Sequence, residues 1–199
     1  MSSVQVTNPS HTGSDCGSVL WASTQPHAWA AIKSLVGSKC KFKRSTSGSG
    51  ECVLDGRNGR FAIELATTPG QVSEAYQLLC MKLSAAEVEP LERLTQNAMG
   101  ITLRGRKTGY RLFNVRDQSG CVAATYGGSL MDLSGKDAVF IGTYAATHDN
   151  YTGMGLMGQL FISGLIQAAV DANDLEEELA LIIGDCTPAS EWTWDSVGR

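Results

Sequence analysis

A glycine-rich loop between a buried strand and a long apolar helix restricts the fold of this sequence more than any other feature. Residues 138–147 read AVFIGTYAAT, a run of apolar and β-branched residues that is typical of a strand. The next segment contains Gly153, Gly155 and Gly158, which fit the spacing G-x-G-x-x-G, and an unbroken helical pattern follows them. A strand that passes through such a loop into a helix is typical of mixed α/β domains.

Loops of this kind bind anions, because the first N–H groups of a helix have no acceptor inside the helix and the helix dipole favours negative charge there. Glycine residues remove the Cβ atoms that would keep a phosphate group away from those N–H groups. The spacing fits a dinucleotide-binding loop, and it also fits the Q/R-x-x-G-x-G/A loop of acyl-CoA-dependent acyltransferases. The loop alone therefore predicts an anion site and does not choose between the two cofactors.

The pattern of apolar residues from residue 60 onward predicts a meander of strands and helices around this loop. Their expected order is β-α-α-β-β-β-α-β-α. Ser84 and Glu87 form a capping box for the second helix, although Pro90 predicts a kink there or a later start. The predicted strands are Phe61–Ala66, Tyr110–Arg116, Cys121–Leu130, Ala138–Thr147 and Glu178–Gly184, and the predicted helices are Gly70–Leu83, Ser84–Ala98, Gly155–Ala172 and Pro188–Val197.

This order of elements disfavours a dinucleotide-binding fold. Such a fold places the glycine loop after the first strand of a long βαβαβ series, with an acidic residue at the end of the next strand. Asp185 occupies that position, but strands and paired helices precede the loop here, and only fourteen residues follow Asp185. The acyl-CoA interpretation is therefore favoured.

The segment from Phe61 to Arg199 resembles the GNAT acyl-CoA N-acyltransferases in its order of elements and in its glycine loop, and AVFIGTYAATHDNYTGMGLMGQLFISGLIQAA is the most similar run. The resemblance implies a mixed α/β domain with a mostly antiparallel central sheet flanked by helices, in which two strands splay apart at the cofactor site. It also implies acetyl-CoA as the co-substrate, without a metal ion. Asn150 stands at the Q/R position of the motif, and Gly153 and Gly155 match its two glycines.

The resemblance further implies which residues contact the cofactor. In this family, main-chain groups of the strand hydrogen-bond the pantetheine arm, and the loop binds the pyrophosphate. The residues at these positions are Ala146, Thr147, Asn150, Tyr151, Thr152, Gly153, Met154 and Gly155.

Acyl transfer from a thioester needs a base for the attacking amine and a donor for the developing oxyanion. His148 follows the strand and has a suitable unperturbed pKa, while Asp185 ends the last strand and Glu191 comes shortly after it. These three residues are the catalytic candidates. The alternatives are an exposed loop histidine, an aspartate that caps the next helix and a surface glutamate. Cys186 and Tyr144 are further candidates for the acid, although a buried inert thiol and a core tyrosine are commoner.

Three features depart from the family pattern. Asn150 replaces Gln or Arg and the loop contains no Lys or Arg, so phosphate binding would depend on main-chain N–H groups and the helix dipole. The late tyrosine that commonly protonates the departing thiolate is absent, and Trp192 and Trp194 occupy that region. The sequence ends at Arg199, before the last two strands of the family, so we expect a truncated domain, or a sheet that the first sixty residues, a second copy or a partner completes.

Charge and cysteine usage exclude several other classes of function. Residues 145–199 contain nine acidic residues and a single basic one, which argues against nucleic acid and suits a cationic amine. The six cysteines lack C-x-x-C spacing, so we expect free, mostly buried thiols and no metal site. No apolar run has the length of a membrane span and no signal peptide is evident, which predicts a cytoplasmic protein without a membrane partner.

Residues 1–59 are predicted to form a Ser/Gly-rich extension, with a helix at Pro26–Val36 and a hairpin of strands at Lys39–Lys43 and Glu51–Leu54. Residues 60–199 are predicted to form the GNAT-like domain. The function expected from the sequence is transfer of an acyl group from acyl-CoA to a small-molecule or protein amine, by direct attack in a ternary complex. The alternative is a catalytically inactive module that binds CoA or a protein partner.

Overall fold

The computed structural model of the chain describes residues 43–46, 52–56, 59–99, 110–132 and 136–184. These residues form seven strands and three α-helices. The strands are β1 (Lys43–Thr46), β2 (Cys52–Gly56), β3 (Gly59–Leu65), β4 (Tyr110–Arg116), β5 (Val122–Asp132), β6 (Asp137–Thr147) and β7 (Glu178–Gly184). The helices are α1 (Pro69–Lys82), α2 (Leu91–Met99) and α3 (Leu156–Asp174), and a short 3-10 turn spans Asp149–Tyr151. None of the helices in these ranges is long and apolar enough to cross a membrane.

The seven strands form one sheet in which every strand lies beside the next strand of the sequence. Neighbouring strands are antiparallel except β6 and β7, which are parallel. A parallel pair needs a long crossover connection, and the glycine loop and α3 provide it. The expected fold class, a mixed α/β domain with a mostly antiparallel central sheet flanked by helices, is confirmed.

Helices cover both faces of the sheet. On one face, α3 places Leu160 over Phe113, Tyr126 and Phe140, which are almost completely buried. On the opposite face, α1 and α2 cover a second cluster that includes Leu112. Successive side chains of a strand point to opposite faces, so β4 supplies Phe113 to one cluster and Leu112 to the other.

A β-bulge in β6 changes which of its side chains face which helices. The adjacent residues Gly127 and Gly128 of β5 pair with Tyr144 and Gly142, so the intervening residue of β6, Thr143, has no partner in β5. One extra residue shifts the alternation of side chains by one position. Even-numbered side chains of β6 therefore join the α3 cluster before the bulge and the α1–α2 cluster after it.

Strand β6 is longer than its pairing with β7. The parallel register begins with Asp137 beside Glu178 and ends with Gly142 beside Gly184. In the part of the chain that the structure describes, residues 144–147 of β6 pair with β5 alone. The other edge of this segment has no strand partner among the described residues, which end at Gly184 on this side.

The first two strands come from the region before residue 60. They form an antiparallel hairpin, and β2 pairs with β3. The sequence predicted this hairpin, but it placed the first strand at Lys39–Lys43, whereas β1 begins at Lys43. The predicted helices Pro26–Val36 and Pro188–Val197 lie outside the described residues. The division of the chain into an extension and a domain stays a prediction.

The second predicted helix begins later than its capping signal indicates. The N–H and hydroxyl groups of Ser84 both donate to Glu87 Oε2, at 2.8 and 2.7 Å, but these bonds close an isolated turn. Helix α2 begins at Leu91, and the Pro90 carbonyl accepts a hydrogen bond from the Leu94 N–H at 3.0 Å. A proline inside a helix lacks an N–H donor and its ring clashes with the preceding turn. The start at Ser84 was therefore wrong, and the later start that Pro90 predicts is confirmed.

Candidate functional site

The candidate site is the connection from the end of β6 to the start of α3. The His148 ring caps the 3-10 turn, since its Nδ1 accepts a hydrogen bond from the Asn150 N–H at 3.3 Å. The Tyr151 N–H donates to the His148 carbonyl at 2.9 Å, and the Met154 N–H donates to the Tyr151 carbonyl at 3.3 Å. Successive tight turns therefore carry the chain from the strand to the helix.

Two glycines in this connection have a left-handed backbone conformation. The φ angle is +79° at Gly153 and +80° at Gly155, a region that residues with a Cβ rarely occupy. A Cβ added at Gly153 would meet no described heavy atom within 4 Å, and the same holds for Gly158 in the first turn of α3. The positive φ angles of Gly153 and Gly155 therefore shape the loop, and no described atom lies close to the Cβ positions of Gly153 and Gly158.

Several N–H groups at the start of α3 have no hydrogen-bond partner among the described residues. Gly155 is the N-cap residue, and its carbonyl accepts the first helical hydrogen bond, from the Gln159 N–H at 3.4 Å. Among the described residues, no side chain caps the helix, and the N–H groups of Gly153, Gly155, Leu156 and Met157 have no hydrogen-bond acceptor. These four N–H groups and the helix dipole favour the binding of an anion.

Other N–H groups that the resemblance assigned to the site donate hydrogen bonds to carbonyl groups of the loop itself. The N–H groups of Tyr151 and Thr152 donate to the carbonyls of His148 and Asp149, at 2.9 and 3.3 Å. The Met154 N–H likewise donates to the Tyr151 carbonyl. The free donors therefore lie at the two loop glycines and in the first turn of the helix. Contact of these other residues with a cofactor through their side chains stays a prediction.

The side chain of Tyr151 fixes the loop to the turn between β4 and β5. Its hydroxyl donates to Asp117 Oδ2 at 2.5 Å, and its ring meets Phe61 edge-on, with centroids 6.0 Å apart. Asp117 also accepts from the N–H groups of Ser119 and Cys121, both at 2.9 Å. The Tyr151 hydroxyl is the main group that lowers the pKa of Asp117, and the same hydrogen bond raises the pKa of Tyr151. The loop is thus anchored to the sheet by a charge-assisted hydrogen bond.

The end of β6 presents main-chain groups beside the loop. The His148 N–H donates to the Ala123 carbonyl of the neighbouring strand at 2.9 Å. Because alternate residues of a strand direct their main-chain groups to opposite edges, Ala146 also faces β5, and the main-chain groups of Thr147 face the opposite edge of β6. Of the two strand residues that the resemblance assigned to the cofactor, Thr147 is therefore the one whose main-chain groups are not directed at β5.

A basic residue reaches the loop from α1. Lys82, in the last turn of α1, forms an ion pair with Asp149, in which Nζ donates to Oδ1. This contact lowers the pKa of Asp149. The two residues are 67 positions apart, and no sequence pattern connects them, so this pair was not predicted.

Comparison with solved structures shows which known folds share this arrangement. An acetyltransferase from Trypanosoma brucei has a TM-score of 0.50 over 69% of this chain and 92% of its own, at 17% identity. The aminoglycoside 6'-N-acetyltransferase AAC(6')-Ih from Acinetobacter baumannii has a TM-score of 0.50 over 70% of this chain and 90% of its own, at 13% identity. A tandem GNAT protein from the clavulanic acid biosynthesis pathway has a TM-score of 0.46 over 69% of this chain and 41% of its own, at 16% identity. No protein-family model and no curated protein sequence matches the chain.

The chain has the GNAT fold. The two acetyltransferases with a TM-score of 0.50 match it along at least 90% of their own length. The order of elements agrees with this assignment, because β6 leads through the glycine loop and α3 into a parallel β7. The resemblance that the glycine loop indicated is therefore confirmed.

Within this GNAT fold, His148 has a structural task that was not predicted. Its Nδ1 accepts a hydrogen bond, so the neutral ring carries its proton on Nε2. The ring is half-buried and lies near Tyr151, with centroids 5.8 Å apart. The other catalytic candidates, Asp185 and Glu191, lie outside the described residues, as does Cys186. A shared catalytic role for the three candidates stays a prediction.

A polar cluster lies beside the bulge of β6 in this GNAT fold, on the face covered by α1 and α2. The Tyr144 hydroxyl accepts a hydrogen bond from the Glu89 N–H at 3.0 Å, and Glu89 Oε2 accepts one from Asn97 Nδ2 at 2.8 Å. The Tyr110 ring lies against Tyr144, with centroids 6.4 Å apart, and burial raises the pKa of Tyr110. A carboxylate and two phenols therefore lie together near the point where β6 leaves β7. No role for Glu89 was predicted, because its position beside Tyr144 depends on how the chain bends before α2.

Three further findings concern residues outside the loop. No group of three or more His, Cys, Asp or Glu side chains in the described ranges has an arrangement that could hold a metal ion. Cys80 and Cys121 are free thiols and are exposed, whereas buried thiols were expected. A cavity of about 180 Å³ lies where β3 leaves the start of β4 uncovered. Its described lining consists of Leu65, Ala66, Thr67, Ala98, Met99, Tyr110 and Arg111.

Proposed function

We propose that this protein transfers an acyl group, with acetyl as the simplest case, from acyl-CoA to a primary amine in the cytoplasm. The observation that carries the proposal is the set of main-chain N–H groups at Gly153, Gly155, Leu156 and Met157, which have no acceptor among the described residues and lie between the end of β6 and the first turn of α3. The GNAT fold supports the proposal, since the two solved structures with a TM-score of 0.50 are acetyltransferases.

The diphosphate of acyl-CoA suits this helix start. Its several oxygen atoms can accept from several N–H groups at once, and the helix dipole adds a favourable interaction with its negative charge. The pantetheine arm would extend along the free edge of β6 like an added strand, next to Thr147. The cofactor would also contact the side chains of Asn150, Thr152 and Met154.

The reaction would be direct attack in a ternary complex. The amine nitrogen attacks the thioester carbonyl carbon, and the C–S bond breaks as the amide forms. The nitrogen loses one proton, and the departing CoA sulfur gains one, so that the products are an amide and free CoA. Holding both substrates in one site makes the attack effectively unimolecular.

The acceptor would approach through the polar cluster around Tyr144. The carboxylate of Glu89 favours a cationic amine, because opposite charges attract in a partly desolvated site. The Tyr144 hydroxyl accepts from the Glu89 N–H, which leaves its own proton available for the departing sulfur. His148, Asp185 and Glu191 are the proposed bases for the amine.

Two measurements on the full chain test the proposal. Calorimetric titration with acetyl-CoA should give a dissociation constant on the order of 10 μM, within the usual range of enzyme KM values. Release of free CoA should then be detected with one or more members of a panel of cationic amines. Binding without any turnover would favour the inactive module, and the absence of both would contradict the proposal.

A glycine substitution makes the test specific to the loop. Gly153→Val should weaken acetyl-CoA binding at least roughly 30-fold, since a strained φ of this kind costs on the order of 2 kcal/mol and the new side chain enters the anion space. Gly155→Val should act in the same way. Gly59→Val is the control, because Gly59 also has a positive φ, +123°, but lies at the start of β3 and outside the loop. An unchanged affinity in Gly153→Val, or an equal loss in the control, would count against the site.

A further inference from the structure

The part of the chain that builds the site contains no basic residue. From Asp137 to Gly198 the sequence has neither Lys nor Arg. Acyl-CoA carries a diphosphate and a further phosphate, so a cation close to the free N–H groups would strengthen binding. Such a cation has to come from another element.

Among the described residues, Lys82 of α1 is the cation that contacts the loop. Its Nζ binds Asp149, the residue before Asn150 and four positions before Gly153. Two other described cations, Arg111 and Arg116, are occupied by carboxylates of α3, β3 and α1. Lys82 is therefore placed to supply the charge that the loop lacks.

The ion pair between Lys82 and Asp149 is easily broken, so that another anion can take the place of Asp149. The Asp149 side chain is 83% exposed, and solvent screens its attraction to Lys82, so the pair contributes little to stability. A diphosphate carries more negative charge than one carboxylate and accepts more hydrogen bonds. In the free protein, Asp149 holds Nζ at the loop and competes with the phosphate for it.

We propose that Lys82 is a phosphate-binding residue of the acyl-CoA site, and that its ammonium group exchanges Asp149 for the diphosphate when acyl-CoA binds. This inference rests on the proposed function. It assigns the cation of the site to the end of α1, outside the strand, loop and helix that supply the N–H donors.

Calorimetry at low salt with two ligands tests the inference. Acetyl-CoA carries all three phosphates, and acetyl-dephospho-CoA retains only the diphosphate. Lys82→Gln should weaken both ligands by roughly tenfold, the effect of losing one charge-assisted hydrogen bond, and it should reduce the salt dependence of binding. Lys82→Arg should stay within about threefold of the wild type, because it keeps the charge.

Two further variants separate local contact from net charge and test the exchange. Lys136→Gln removes the same charge at the opposite end of β6, where Lys136 is exposed, and it should change affinity less than about twofold. Asp149→Asn should tighten acetyl-CoA binding by about threefold, since it removes the competitor and one repulsive charge. Equal or weaker binding in Asp149→Asn would overturn the exchange.

The outcomes distinguish this inference from the proposed function. If the wild type does not bind acetyl-CoA, the proposed function fails and the role of Lys82 fails with it. If the wild type binds and Lys82→Gln binds equally well, the role of Lys82 alone fails. A loss confined to acetyl-CoA, with acetyl-dephospho-CoA unaffected, would overturn the assignment of Lys82 to the diphosphate.

Discussion

At the scale of single residues, the hydroxyl of Tyr151 joins the glycine loop to the sheet. It donates to the carboxylate of Asp117, which is held in turn by main-chain N–H groups of its own turn. Hydrogen bonds to charged groups contribute about 1.5–3 kcal/mol when they are protected from solvent, and screening at this half-exposed site reduces the contribution to about 1 kcal/mol. This bond is thus one of the contacts that set the position of the loop, together with the Lys82–Asp149 ion pair and the Phe61 ring.

We expect Tyr151→Phe to lower the free energy of unfolding by about 1 kcal/mol at neutral pH. The pKa of Asp117 is lowered in the folded protein, so its hydrogen bonds stabilise the fold above the ordinary aspartate pKa, and this stabilisation is lost as the pH falls through the folded-state pKa. In urea denaturation from about pH 7 to about pH 3, across the ordinary aspartate pKa, the difference between the variant and the wild type should therefore shrink.

Tyr126→Phe is the control for this measurement. The buried Tyr126 hydroxyl has no partner within the described residues, so its removal should cost nothing and should show no such dependence on pH. A difference between Tyr151→Phe and the wild type that stays constant in acid would show that the Asp117 carboxylate does not hold the loop.

At the scale of elements, α3 combines a free N-terminus with a firmly held C-terminal half. Asp171 accepts a hydrogen bond from Arg111 of β4 at 2.8 Å and one from Gln167 of its own helix at 2.7 Å. The Asp171 side chain is only 5% exposed, so this ion pair is protected from solvent. The helix is therefore fixed to the sheet at one end, while its other end faces the loop.

Two glycines of α3 have different surroundings, and we expect opposite effects from the same substitution. A Cβ at Gly158 would meet no described atom within 4 Å, whereas a Cβ at Gly164 would lie 2.7 Å from Tyr126 Cε1. Gly158→Ala should raise the free energy of unfolding by about 0.5–1 kcal/mol, because alanine favours the helix. Gly164→Ala should lower it by about 1–3 kcal/mol through overpacking. Urea denaturation measures both values, and a change of the same sign in the two variants would contradict this packing.

At the scale of the whole molecule, the sheet follows the order of the sequence, and local patterns therefore predict much of the fold. Each strand pairs with its neighbour along the chain, so apolar periodicity and turn residues suffice to place strands such as β4 and β6. The one parallel pair is also evident, because a long helix separates its two strands. The start of α2 was misplaced because the local capping signal at Ser84 is overruled by Pro90.

The contacts that shape the site were less predictable. The glycine spacing indicated where the free N–H groups lie, since their freedom follows from local backbone conformation at Gly153 and Gly155. The bond from Tyr151 to Asp117 spans 34 positions and the ion pair of Lys82 spans 67, and both depend on how distant elements pack. The bulge at Thr143 depends on the register between two strands, which no single strand contains.

The most direct test of the central claim is a titration of the ¹⁵N-labelled chain with acetyl-CoA, followed by the amide N–H signals in NMR spectra. We predict saturable downfield shifts at the four N–H groups of Gly153, Gly155, Leu156 and Met157, with the signal of Gly59 unchanged. Saturable binding that leaves these four signals unshifted would contradict the claim that this helix start binds the diphosphate.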